Sequence, residues 1–178
     1  MHLAINVYSF TTIGQEVESS FSSKRFIPLY VTSIIGGNVL SHSACVRGLP
    51  GTSPLSVGAS GGVFGLFGAY YVFLRTNGDF FTPSGVEAGL DSLKTTLFVN
   101  VVNGLVSNRI DNYAHLGGAC AGGVYAYGWG PRLKRGGNGR VYDYPRFDEL
   151  VDWFGKGRRG EGEGVKVRKI PRLPSYVG

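Results

Sequence analysis

Four polar side chains stand in apolar surroundings: His2 and Asn6 in MHLAIN, Ser60 in VGASGGVFGLFGAYYVFL, and His115 in NYAHLGGACAGG. A serine hydroxyl is a poor nucleophile until a base takes its proton, and histidine does this well near neutral pH. Attack on a carbonyl then creates an oxyanion that needs donors aimed at it. His2 and Asn6 are four apart, so they share one face of a helix. With the Ser60 backbone N–H they make a donor set suited to acyl transfer. Each residue also has a plainer reading. A serine between glycines is commonly a packing residue, and His115 or Asn6 can simply join two helices. The segment GASGG, Gly58 to Gly62, also fits G-x-S-x-G, the strand-to-helix turn of soluble α/β-hydrolases. Asp111 precedes His115, so a triad can be written on paper.

The elements that must position these groups are marked by the spacing of charges. Uncharged windows run from Met1 to Gln15, Phe26 to Val46, Gly48 to Leu74, Thr95 to Asn108 and Asn112 to Pro131. A bilayer core asks for about 20 mostly apolar residues per helix. The second, third and fifth windows meet that length, the first is cut short by the start of the sequence, and the fourth is marginal. The connections are Glu16 to Arg25, Arg47 to Pro54, Arg75 to Lys94 and Arg109 to Asp111. The reading is an all-α, polytopic membrane bundle. Alternating βα units are absent and the windows are too long for sheet strands, which argues against the soluble hydrolase. If each window crosses, the starts of the first, third and fifth helices lie on one side. Ser60, His115, His2 and Asn6 then converge at one depth. Gly61/Gly65 and Gly118/Gly122 are G-x-x-x-G pairs, which let the Ser60 and His115 helices approach closely.

The net charge of +6 belongs to the tail. Residues 1–131 hold six Lys/Arg and six Asp/Glu, and the remaining twelve Lys/Arg and six Asp/Glu follow Pro131. A neutral apolar body with a basic tail fits a membrane protein rather than a nucleic-acid binder, and the more basic side carries the tail, as positive-inside bias expects. The sequence therefore divides into a membrane core, 1–131, and a basic, largely disordered tail, 132–178. Phe147, Leu150, Val151 and Phe154 suggest one short amphipathic helix at 146–155. Cys45 and Cys120 sit in apolar segments without ligand spacing and read as buried free thiols. No metal or cofactor is expected.

Three separated elements, H-x-x-x-N in MHLAIN, G-x-S-G in GASG and AHLGG in HLGGACAGG, resemble the rhomboid intramembrane serine proteases. The resemblance covers roughly residues 1–131. It implies a helical bundle with Ser60 as nucleophile and His115 as general base in a water-filled cavity below the membrane surface. It assigns His2 and Asn6 to the oxyanion, Gly58 to the bend presenting Ser60, and Phe64 to an aromatic contact with the catalytic histidine. Gly61, Gly118 and Gly122 support the close helix approach. The family works with a dyad, so Asp111 is not required as a third member. Implied partners are the lipid bilayer and single transmembrane helices cut near one membrane face. The family pattern further implies that the sequence begins at the second of six core helices, leaving five and omitting the first helix and its following loop. That omission favours a second reading, a rhomboid-like pseudoprotease that binds transmembrane clients without cutting them. SNRIDNYAHLGG is similar to plant plastid rhomboids, which implies the chloroplast inner envelope; otherwise an endomembrane is expected.

Overall fold

Each uncharged window yields one helix. A computed structural model of the chain describes residues 2–52, 59–106, 111–135 and 141–143. The helices are α1 (His2–Phe21), α2 (Ser23–Val46), α3 (Ala59–Asn77), α4 (Pro83–Val106) and α5 (Asn112–Trp129). A 3-10 turn, Gly78–Phe80, lies between α3 and α4, and a hairpin of β1 (Leu133–Arg135) and β2 (Val141–Asp143) follows α5. The all-α architecture is therefore the one expected. The described strands form an antiparallel pair, so the parallel sheet that a nucleophile elbow requires is not among the described residues.

Four helices overrun their windows; α2 starts three residues early at Ser23 and α3 runs three residues on to Asn77, and the other two go further. α1 continues through Glu16 and Glu18 to Phe21, and α4 starts at Pro83, well before Lys94. The expected connection from Glu16 to Arg25 shrinks to Ser22, which takes a left-handed φ of 67°. Its N–H donates to the Glu18 carbonyl at 2.8 Å, and its own carbonyl accepts from Phe26 N–H at 3.0 Å. One residue thus ends α1 and starts α2, in a conformation usually left to glycine.

Side-chain contacts fix the helix directions. Phe21 meets Phe73 with ring centroids 5.8 Å apart, and a Cβ added at Gly14 would lie 3.9 Å from Leu66 Cδ1. The step is seven residues on both helices, so α1 and α3 run parallel. Gly61 faces Gly118 and Gly65 faces Gly122, which makes α3 and α5 parallel too. On α2, Gly37 faces Ala114 while Ser41 binds Asp111, so α2 runs antiparallel to α5. Asn100 Nδ2 donates to Ser9 Oγ at 2.9 Å, and Gly89 lies against Leu74 and Tyr70, which sets α4 antiparallel to α3. The starts of α1, α3 and α5 share one end of the bundle.

The bundle is tightest where α2, α3 and α5 meet. A Cβ at Gly37 would sit 2.7 Å from the Ala114 carbonyl oxygen, and one at Gly117 would sit 2.5 Å from the Gly36 carbonyl oxygen. At Gly118 and Gly122 it would overlap the carbonyls of Gly61 and Gly65. Backbone-to-backbone contact of this kind is available only to glycine, and dispersion over the whole seam holds it together. Leu29, Val63, Phe64, Leu66, Phe67 and Phe73 fill the core beside it.

The outer surface is apolar. Ile27, Val31, Ile35 and Val39 make an exposed i, i+4 stripe on α2, and Leu116, Val124 and Tyr127 make another on α5. Exposed apolar stripes on several helices are what a bilayer, not water, accommodates. Among the described residues, α2 alone is long and apolar enough to cross a membrane by length and composition; glycine, tyrosine and charge dilute the other helices. Both cysteines are free, but Cys120 is exposed and Cys45 half-buried. The expectation of two buried thiols is corrected for both: Cys45 is only half-buried, and Cys120 lies on α5 four residues from each of the exposed Leu116 and Val124.

Part of the tail packs on the bundle. Six residues assigned to a largely disordered segment are strand, because the far end of the bundle holds them. Buried Asn77 donates to the Phe73 and Pro131 carbonyls at 2.9 and 3.0 Å and accepts from Leu133 N–H at 2.7 Å. Arg25 Nη1 meets Asp143 Oδ2 at 2.5 Å, with both side chains at most 10% exposed. Asp143 Oδ1 also accepts from Arg132 N–H at 3.2 Å. The amphipathic helix expected at 146–155 lies outside the described residues, as does Gly58. Asp143→Ala would strand the Arg25 guanidinium and is expected to cost about 3 kcal/mol. The apparent unfolding midpoint in detergent should fall accordingly and recover in Arg25→Met/Asp143→Leu. An unchanged midpoint in the single variant would show that the pair does not hold the hairpin.

Candidate active site

Ser60 is the second residue of α3 and His115 the fourth residue of α5. Both are buried, at 9% and 7% exposure. Their helices are in backbone contact beside them: a Cβ at Gly61 would lie 3.3 Å from the Ala114 carbonyl oxygen. Phe64, one helical turn after Ser60, stacks on the His115 ring with centroids 3.8 Å apart and planes 8° from parallel. The two residues singled out for chemistry thus flank a single interhelical seam. Tyr30 from α2 adds a bond from its hydroxyl to the carbonyl of Ala59, next to Ser60, at 3.3 Å.

The sequence explains this placement locally. Gly61 and Gly62 leave no side chain between the start of α3 and its neighbours. Gly62 accepts the ring of Tyr30, whose Cε2 would be 2.5 Å from an added Cβ. On α5, Gly117 and Gly118 do the same toward α2 and α3. Phe64 is then left as the large group that defines one side of the His115 ring, and Phe67 packs edge-on against it at 5.6 Å. The first-turn amides of an α-helix have no partner within the helix. Ser60 N–H belongs to that set, at the positive end of the α3 dipole.

Asn6 is half-buried on α1. It lies fifteen residues before Phe21, and Ser60 lies thirteen before Phe73. From the Phe21–Phe73 contact, at 1.5 Å rise per residue, the two stand at heights that differ by about 3 Å. His2 opens α1 four residues earlier, and its side chain lies outside the described residues. Gly58 lies outside them as well. Gly61, Gly118 and Gly122 are at the seam, as their spacing suggested.

Sequence reasoning passed over Ser41 and gave Asp111 no task. Asp111 caps α5, accepting on Oδ1 from Tyr113 N–H at 2.9 Å and Ala114 N–H at 3.0 Å. Its other oxygen accepts from Ser41 Oγ. The cap was legible, since Asp immediately before an apolar helix is a strong N-cap signal. Nothing in the local sequence marks Ser41, which is brought in by the α2–α5 crossing.

A family model described as the Rhomboid domain matches residues 1–132. RHOMBOID-like protein 5 of Arabidopsis thaliana is 38% identical over 124 residues, covering 68% of this chain and 37% of the relative. RHOMBOID-like protein 2 of the same plant is 35% identical over 137 residues, covering 72% and 40%. The Rhomboid protease GluP of Bacillus subtilis (strain 168) is 32% identical over 123 residues, covering 68% and 22%. The chain therefore spans well under half the length of these relatives. No solved structure matches it.

Proposed function

The chain belongs to the rhomboid family of integral membrane proteins, and from that membership we propose that it is an intramembrane serine endopeptidase working through Ser60 and His115. The observation that carries the reading is the seam itself. Phe64 stacks on His115 while the backbone beside Ser60 touches the backbone beside His115. A serine and a histidine buried together, with one ring face of the histidine fixed, suit a nucleophile and its base.

In the proposed reaction Ser60 Oγ attacks the scissile carbonyl as His115 takes its proton. The imidazolium then returns that proton to the leaving amine, and water repeats the sequence to release the acyl group. The oxyanion would be met by Ser60 N–H, aided by the α3 N-terminus, and by His2 and Asn6 from α1. The substrates proposed are single transmembrane helices, unwound near the membrane face at the α3 and α5 starts. The expected plastid envelope residence rests on SNRIDNYAHLGG alone; co-fractionation with envelope markers rather than endomembrane markers is its test.

The test of function is cleavage of a single-span reporter, with small and helix-destabilising residues near one face, by the protein reconstituted in liposomes. A product cut within or at the edge of the span supports the reading. Stable binding of the reporter without a product would instead favour a client-binding pseudoprotease. Asn6→Ala is expected to lower the cleavage rate about 100-fold with little change in the yield of folded protein. Equal losses of rate and yield would make Asn6 a packing residue.

A further inference from the structure

We propose that Asp111 and Ser41 are positioning residues for His115, clamping the first turn of α5 to α2 so that the imidazole stays stacked on Phe64 and within reach of Ser60. The inference rests on the protease reading above. His115 is the fourth residue of α5, in the turn where a helix frays most readily. Its own N–H reaches the Asp111 carbonyl at 3.2 Å, the long end of the normal range. Left to itself, that turn is a poor platform for a group that must accept and return a proton within a fraction of an ångström.

Asp111 remedies this from both carboxylate oxygens. Oδ1 gathers the Tyr113 and Ala114 N–H groups, which closes the turn. Oδ2 takes the hydroxyl of Ser41, which is 3% exposed and seventy positions away in the sequence. One turn back on α2, Gly37 lies against the Ala114 carbonyl, so the tie joins two backbones already in contact. The turn that carries His115 is therefore fixed to α2 by the clamp and to α3 by the Phe64 stack. A third triad member would act differently, through its negative charge on the imidazolium. Two variants separate the roles. Asp111→Asn keeps an acceptor for Tyr113 and Ala114 and offers Ser41 a donor in place of an acceptor, while removing the charge. Ser41→Ala removes only the cross-tie.

The experiment measures kcat and KM for the single-span reporter in proteoliposomes, with amide hydrogen exchange over residues 111–118. Ser41→Ala and Asp111→Ala should each lower kcat about 10- to 100-fold with KM nearly unchanged, and should speed exchange in that stretch. Asp111→Asn should stay within about threefold of wild type in both readouts. Faster exchange with unchanged kcat in both Ala variants would overturn the positioning role. An Asn variant as slow as the Ala variant would also overturn it, in favour of a charge acting directly on His115. If the wild-type chain cleaves nothing, the protease reading falls by itself. The exchange readout then decides the clamp: faster exchange in Ser41→Ala upholds it, and unchanged exchange removes it.

Discussion

Ser60→Ala is expected to slow cleavage of a transmembrane reporter by on the order of 10⁴- to 10⁶-fold, and His115→Ala by nearly as much. In the proposed mechanism the loss is large because the serine supplies the bond-forming atom and the histidine supplies both proton transfers. The two act as one unit, so the double variant should be no slower than the worse single one. Stability should respond differently. Ser60 loses only a hydroxyl, whereas His115→Ala removes a ring stacked at 3.8 Å on Phe64 and leaves a gap in the seam. Single-turnover rates, set against the amount of folded protein recovered, separate the two effects. Additive losses, or a Ser60→Ala protein that still cleaves, would show that the bond is broken elsewhere.

Gly118→Leu should bring cleavage down by at least about 10³-fold without touching either reacting side chain. A Cβ at Gly118 already overlaps the Gly61 carbonyl, which belongs to the residue after Ser60. Backbone cannot step aside as a side-chain tip can, so α3 and α5 must part. A displacement of 1 Å at a reacting group costs on the order of 100-fold, and a leucine requires more than that. Gly118→Ala should fall between, near 100-fold. Gly123 on the same helix is the control. An added Cβ there meets Val72 Cγ2 at 3.7 Å and the Gly68 carbonyl at 3.8 Å, both ordinary contacts. Gly123→Ala should therefore keep its rate and gain about 1 kcal/mol of helix stability. Equal losses at Gly118 and Gly123 would mean that the seam does not set the distance between Ser60 and His115.

Much of this was legible in the residues. The uncharged windows gave five helices in order, and the motif letters led to Ser60, His115, Phe64 and the two glycine pairs. The helix ends were not legible, because charges delimit apolar surface rather than helix. Asp91 and Lys94 pair with each other at 2.9 Å on the exposed side of α4, and the helix runs through them without cost. The hairpin could not be read locally either. Its strands are three residues long and persist through Asn77 and through Arg25, which is 118 positions from Asp143. Ser41 escaped for the same reason: its partner is supplied by a helix crossing that no local pattern announces. Asp111 carried its cap signal openly, and its bond to Ser41 gives that cap a role at the site.

The most direct measurement is reaction of the 178-residue chain, inserted in liposomes, with a fluorophosphonate probe, followed by peptide mass spectrometry to locate the adduct. A paired Ser60 and His115 predict a single adduct on Ser60, absent from Ser60→Ala and strongly reduced in His115→Ala. No adduct on protein shown to be folded, or one that persists in Ser60→Ala, would contradict it.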